Sequence, residues 1–447
     1  MSCFGTFVAK QGVIMEMRRQ KDIVAFKTPG LNPVAFHARN LEVAEISEEL
    51  WSALSTSNSN ESDAAEALTS WELENNPEVK SGKMSFDIRS LTLNVTQICN
   101  LKCTYCAAGG DGTYGAPQTK ISVEKTLPQL KFFLERVPAG GSFKIIFLGG
   151  EPLLYPEGIK AIAQYVQLMT AGQNIQAHFS IVTNGTLFSP ANIELLQSLR
   201  CHVTVSVDGP EHINDVVRPM KNGQGSTGII KSGLERLFAV KETLGSVSLH
   251  GVFNKSNMNL VEAYNFYQEY NADRLDFTYG VSEADDEANE LFIDQMKQVA
   301  ALAFAKKGEA GLRQIGFFDG IFRSLDQQQR IENFCGTGKS FLVVDARNNL
   351  FTCPWTVGQK KEQVGQGANL DSQALAQYEE SLVEKNNCQS CWARFLCGGG
   401  CLYIHRQGHD EKAVASQVLK NQAFCHRMRS LISTAILYYK TSREEVC

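Results

Sequence analysis

Two periods of hydrophobicity take turns along this chain, and the switches between them predict its elements. Short apolar runs at 13–17, 23–26, 34–36 and 43–46 predict four strands. Ser47 then stands where an N-cap is expected, before a helix carrying Leu50, Trp51 and Leu54. A second helix is expected over 64–73, after the polar stretch 56–62. Asn75-Asn76-Pro77 and the polar residues to Lys83 predict a linker. Beyond it the two periods alternate. Apolar runs at 91–95, 143–148, 179–182, 203–207, 247–253 and 275–279 predict strands, and amphipathic helices separate them. Val123, Leu127, Leu130 and Leu134 mark one helix face, Ile159, Ile162, Val166 and Met169 the next, and 229–240 carries a third. Six such repeats predict parallel pairing through right-handed crossovers, hence an α/β fold with a partial (β/α)6 barrel and its chemistry at the strands' carboxyl ends. The stretch 283–333 predicts a helical bridge with an amphipathic segment at 291–305. After it, a strand over 341–345, a turn at Asn348-Asn349 and a second strand reaching Cys353 predict a hairpin with a thiol near each end, Cys335 and Cys353.

Composition narrows the function classes. The 447 residues are 43% hydrophobic and 20% charged, with net charge −5, so nothing marks nucleic acid or an anionic membrane as an obligatory partner. No apolar run approaches the length that spans a bilayer, and residues 1–11 lack the basic and apolar regions of a signal peptide. The expected location is cytoplasmic, where reducing conditions make the 13 cysteines metal ligands rather than disulfides. Their placement says more than their number. Three fall at Cys99, Cys103 and Cys106, seven lie between Cys335 and Cys425, and Cys3, Cys201 and Cys447 stand apart.

Cys99, Cys103 and Cys106 have the spacing C-x3-C-x2-C directly after a predicted strand. A loop of this kind can wrap three thiolates around one cubane cluster and leave one iron open. Structural zinc sites close with four ligands, and no histidine at finger spacing follows. Later strand ends carry Gly149-Gly150-Glu151-Pro152, Thr183-Asn184-Gly185 and Ser206-Val207-Asp208-Gly209-Pro210, the last followed by His212, Asp215 and Arg218. Near the C-terminus stands Cys388-x2-Cys391-x5-Cys397-x3-Cys401, with Cys425 further on.

Taken together these segments resemble the radical S-adenosylmethionine (SAM) enzymes, and the C-terminal array resembles the SPASM extension of their peptide-modifying maturases. The resemblance implies three [4Fe-4S] clusters. One is held by Cys99, Cys103 and Cys106 and binds SAM, an outer auxiliary cluster is held by Cys388, Cys391, Cys397 and Cys425, and an inner one by Cys335, Cys353 and Cys401. It implies SAM contacts from Tyr105 in the cluster loop, from Gly149, Gly150 and Glu151 to the amino group, and from Thr183 and Asn184 near the ribose. Ser206 and Arg218 would take the carboxylate, since a guanidinium fork suits one, and the backbone near Val252 would lie against adenine. No catalytic base stands out. The implied domains are a winged-helix-like leader-peptide module at 1–84, the barrel at 85–282, a helical bridge at 283–334 and an iron–sulfur SPASM domain at 335–447. Sulfatase-maturing members place another cysteine shortly after the first of the hairpin, where this chain has Lys339, Ser340 and Phe341. The inner cluster is thus left either to a singleton such as Cys447 or with an open iron. The implied activity is hydrogen abstraction by a 5'-deoxyadenosyl radical followed by an oxidative side-chain cross-link in a ribosomally made precursor peptide with a leader. Flavodoxin or ferredoxin would donate the electron. Formylglycine-type oxidation of a protein residue and a non-catalytic iron–sulfur carrier are the alternatives.

Overall fold

The computed structural model describes residues 15–54, 63–73, 87–106, 120–280, 285–405 and 411–444. The start of the first expected strand, the expected linker, Cys3 and Cys447 lie outside them. The chain packs as two units, one of Met1–Gly82, Ala284–Cys335 and Glu380–Cys447, the other of Lys83–Glu283 and Gly336–Glu379.

In the first unit, β1 (Glu16–Gln20), β2 (Ile23–Lys27), β3 (Val34–His37) and β4 (Glu42–Glu45) form an antiparallel meander in chain order. The inner strands β2 and β3 are buried on both faces, which explains their continuous rather than alternating apolar sequence. One face, with Ile23, Ala25 and Ala35, meets Trp51, Leu54 and Leu68 of the two helices that follow. On the other, Phe26 and Phe36 meet the Trp392 ring edge-on at 5.3 and 6.3 Å. Ser47 caps the helix Glu48–Ala53, its Oγ accepting from the Leu50 amide at 3.2 Å. A buried ion pair, Arg394 Nη2 to Asp22 Oδ1 at 2.6 Å, fastens the β1–β2 turn to the helix Arg394–Cys397. The long helices Asp286–Arg313 and Glu411–Glu444 pack on each other, and Arg313 and Arg443 both pair with Glu309 and Asp326.

The second unit is built on one ten-stranded sheet. β5 (Ser90–Thr96), β6 (Ser142–Gly149), β7 (Gln176–Thr183), β8 (His202–Ser206), β9 (Ser246–Phe253) and β10 (Arg274–Tyr279) pair in parallel, each with the next. The six expected strands are therefore present as successive parallel neighbours, with helices in the connections between them. β8 and β9 alternate buried with half-exposed positions, so Thr204, Ser206, His250 and Val252 line one face while valine, leucine and phenylalanine fill the other. That division follows from the period of two: a sheet covered by helices on one side only must bury every second side chain.

The C-terminal segment is shared between the two units, 336–379 in the second and 380–447 in the first. β11 (Phe341–Val344) runs parallel to β5, and β12 (Asn349–Phe351), β13 (Gln363–Gln366) and β14 (Asn369–Leu370) extend the same sheet as antiparallel strands. The hairpin thus occupies the outer edge of β5, whose amides and carbonyls would otherwise lack partners. Lys339, Ser340 and Phe341, where sulfatase-maturing members have a further cysteine, belong to this arrangement. The Lys339 carbonyl accepts from the Asp87 amide, and that of Ser340 from the amides of Arg89 and Ser90, at 2.8–3.1 Å. Among the described residues no helix is long and apolar enough to cross a membrane.

Candidate cofactor and cluster sites

The loop after β5 is tied to two neighbouring strand ends before it reaches its cysteines. The Gly150 and Glu151 amides donate to the carbonyls of Thr96 and Ile98 at 2.8 and 2.9 Å. A Cβ at Gly149, whose φ is +139°, would lie 2.2 Å from the Thr96 carbonyl oxygen, and one at Gly150 2.3 Å from that of Ile98. Only glycine allows so close an approach, so the Gly-Gly pair sets the path of the chain into Cys99. The far side of the loop pairs with 217–221: Lys102 donates to the Pro219 carbonyl at 2.8 Å, Thr104 to that of Val217 at 2.9 Å, and Lys221 to that of Asn100 at 3.2 Å.

These ties place the three thiols in a gradient, with Cys99 buried, Cys103 half-buried and Cys106 exposed. Burial is the main force on Cys99 and, with Glu151 and the other two cysteines nearby, pushes its pKa up to about 12 despite an amide bond from Leu101. Burial also raises Cys103, against the pull of Arg218. Thiols held in this way are poor nucleophiles at neutral pH and give up their protons to a metal instead. The donor set therefore fits an iron–sulfur cluster. Asn184 Nδ2 braces it, donating to Asn100 Oδ1 at 2.9 Å and toward Cys99 Sγ at 3.6 Å.

Glu151 follows the Gly-Gly pair. Its side chain is fully buried and both oxygens are engaged, Oε1 by the Thr183 hydroxyl (2.8 Å) and the Leu153 amide (3.0 Å), Oε2 by the Asn184 amide (2.7 Å). Burial lifts its pKa to about 7 against these three bonds. The carboxylate thus shapes the Thr183-Asn184-Gly185 turn, and the turn carries Asn184 to the cysteines.

Asp208 is the junction that sequence reasoning quoted without giving it a role. It is wholly buried at the end of β8. Oδ2 accepts from the Tyr105 hydroxyl at 2.5 Å, faces Arg218 Nε at 3.1 Å and takes a longer bond from Asn257 Nδ2 at 3.4 Å; Oδ1 accepts from the Val252 amide at 2.9 Å. Arg218, also buried, reaches toward Cys103 Sγ with Nη1 at 3.9 Å and lies 5.2 Å from the centre of the Tyr105 ring. Burial opposes its charge, but Asp208, Tyr105 and Cys103 outweigh burial and push its pKa up. Its Nε is close to Asp208 without hydrogen-bond alignment, so the guanidinium keeps donor capacity for another anion. The Val252 amide donates to Asp208 and its carbonyl accepts from Asn257 Nδ2 at 2.9 Å. Ser206 is half-exposed on the interior face of β8. His212 and Asp215 serve the surface, His212 in a 2.7 Å pair with Glu262 and Asp215 capping the helix Thr227–Phe238 through the Ser226 and Thr227 amides.

The first unit holds a second cysteine site. Cys388, Cys391, Cys397 and Cys425 line one small cavity, partly open to solvent, together with Arg394, His405 and Phe424. Burial drives the thiols of Cys388, Cys397 and Cys425 upward, Cys388 to about 11, and each would be repelled by the others as a thiolate. Among the described residues no three ligating side chains converge on a point suited to a single metal ion. Four cysteine side chains around one cavity are a donor set that fits an iron–sulfur cluster. Of the remaining cysteines, Cys353 precedes the turn Pro354–Thr356, Cys335 precedes the loop into β11, and Cys401 ends the run Gly398-Gly399-Gly400.

Comparison with known proteins agrees with this site. Residues 93–266, from β5 through the helix after β9, match the Radical SAM superfamily. The "Radical SAM cyclopropyl synthase TigE" of Paramaledivibacter caminithermalis is 20% identical over 78% of this chain and 74% of its own length. The "Serine-type anaerobic sulfatase-maturating enzyme" of Klebsiella aerogenes is 24% identical over 68% and 76%. The uncharacterized protein MJ0907 of Methanocaldococcus jannaschii is 37% identical, over 31% of this chain and only 45% of its own. Among solved structures, anSMEcpe with bound AdoMet superposes at a TM-score of 0.61, with 19% identity, over 77% of this chain and 98% of that one, a likeness of fold. Residues 93–266 of this chain form a radical SAM domain.

Proposed function

We propose that the protein is a maturase that installs an oxidative side-chain cross-link, carbon–carbon, thioether or ether, in a ribosomally made precursor peptide. One observation carries this reading: the four-cysteine cavity of the first unit, a thiol donor set additional to the cluster loop, in a chain with a radical SAM domain. When bound, the cluster and SAM at Cys99, Cys103 and Cys106 supply a 5'-deoxyadenosyl radical able to remove hydrogen from an unactivated C–H bond. The residues of the chain do the rest. Asp208, Arg218 and Asn184 fix the cysteine loop, and the half-exposed interior of β8 and β9 positions the reacting carbon. Closing a new bond discards one more electron, and auxiliary clusters at Cys388, Cys391, Cys397 and Cys425, and at Cys335, Cys353 and Cys401, would accept it.

One relative supports a protein substrate, a sulfatase-maturating enzyme, which also favours protein-residue oxidation as the second reading. The meander of the first unit has an exposed edge strand, β1, of the kind to which an extended leader can add. Flavodoxin or ferredoxin is the proposed electron donor.

Co-expression with short reading frames encoded nearby tests the proposal. The expected product is a peptide lighter by two hydrogens per cross-link, seen by mass spectrometry. A sulfatase substrate converted to formylglycine, with every such peptide unchanged, would decide for the second reading. Substituting Cys388 and Cys391 together by alanine is expected to preserve much of the SAM cleavage while the cross-linked peptide disappears. Undiminished product from that variant would remove the cavity's assigned part in electron transfer.

A further inference from the structure

The four-cysteine cavity has a fifth donor. His405 lines it beside Cys425. Its Nδ1 lies 2.9 Å from the carbonyl oxygen of Cys401, which can only accept, so Nδ1 carries the proton and a neutral ring presents a lone pair at Nε2. Nε2 lies 3.8 Å from Cys425 Sγ. An imidazole whose far N–H is held by a backbone carbonyl is in the posture of a metal ligand. The ring is also held in place. Phe424 meets it edge-on at 5.4 Å, and at Gly400, with φ of +79°, a Cβ would lie 2.5 Å from His405 Cε1 and 2.9 Å from the Phe424 ring. Glycine at this position therefore leaves room for the imidazole.

An Nε2 lone pair accepts from a thiol, is repelled by a thiolate and binds an iron. Four cysteines and one imidazole surround a site in which a cubane cluster needs four ligands. We infer that His405 and Cys425 are alternative ligands to one iron of the outer auxiliary cluster, with the imidazole taking the iron when the cysteine leaves it. This rests on the assignment of the cavity to an iron–sulfur cluster. The exchange moves no electrons: the iron–sulfur bond to Cys425 breaks, the departing thiolate takes a proton from solvent, and the Nε2 lone pair forms the new bond while Nδ1 keeps its hydrogen. Replacing thiolate by neutral imidazole removes one negative charge and raises the cluster's potential, so the exchanged form accepts an electron more readily.

Anaerobically reconstituted full-length protein tests this in two stages. If the wild type holds no more iron than the four atoms of one cubane, the cluster assignment fails and the inference with it. If the wild type holds more, Cys425→Ala is expected to retain its iron and sulfide. Pulsed EPR of the reduced variant should then show the strong ¹⁴N coupling of a directly bound nitrogen. In Cys425→Ala combined with His405→Ala the nitrogen coupling should disappear. Cys425→Ser, which keeps side-chain volume, should give the same nitrogen signal should the alanine variant not fold. Loss of four iron atoms from both Cys425 variants, or full iron without nitrogen coupling, overturns the assignment of His405.

Discussion

Replacing Cys99, Cys103 and Cys106 together by alanine should reduce the release of 5'-deoxyadenosine to the level of a protein-free control, while iron held by the C-terminal cysteines remains. The size of the effect follows from the geometry of the loop. Its backbone path is set by Gly149 and Gly150 at one end and by the ladder to 217–221 at the other, so no other cysteine of the second unit can move in as a substitute. Cys201 is buried at the entrance to β8, at the opposite end of the strands from the cysteine loop. The backbone should survive the change, since the loop's ties are made by amides and carbonyls rather than by thiols. Chromatography of the dithionite-reduced reaction with SAM, together with iron and sulfide per chain, would measure both halves of the expectation. Cleavage that persisted in the triple variant would place the SAM-cleaving centre somewhere else.

The parallel strands were legible because each is a short run with an apolar residue at about every second position, set off from the next by helical sequence, and β5 to β10 all lie where the pattern put them. The cysteine loop was legible for a similar reason: its chemistry is written in consecutive residues. What the pattern could not show is partnership at a distance. Asp22 and Arg394 are separated by 372 residues, and nothing in either neighbourhood announces the buried pair that joins the first strands to the C-terminal segment. The hairpin at 341–351 was expected as such, but hydrophobic period describes one strand at a time and does not say which edge it will join; its parallel pairing with β5 depends on an edge 250 residues earlier. The protein partners of Glu151 and Val252 were hidden in the same way, because a motif names residues without saying which of their atoms bond to the rest of the chain. A lone histidine such as His405 carries no spacing signal, and only the carbonyl at its Nδ1 reveals how its ring is turned.

Asp208→Asn is expected to loosen the SAM end of the barrel more than any other single change outside the cysteines. The substitution keeps the shape and removes the charge, leaving the buried guanidinium of Arg218 without its counter-ion; breaking such a pair typically costs about 3–5 kcal/mol. Asparagine cannot replace the acceptor pattern either. Both carboxylate oxygens of Asp208 face donors, Tyr105, Arg218 and Asn257 on one side and the Val252 amide on the other, so whichever way the amide turns, its NH₂ meets another donor. The disturbance should pass to Cys103 through Arg218 and to the end of β9 through Val252, and weaken SAM binding on the order of tenfold, the factor that about 1.4 kcal/mol produces. Equilibrium dialysis of SAM with reconstituted protein would read the affinity, and EPR of the reduced catalytic cluster with and without SAM would read the geometry at the iron. A double-mutant cycle supplies the control for simple unfolding: Arg218→Met added to Asp208→Asn removes the stranded cation, so the pair should be less destabilised than the two single losses summed. Strictly additive losses, or an unaltered SAM-induced EPR change in Asp208→Asn, would show that Asp208 does not couple the cysteine loop to the end of β9.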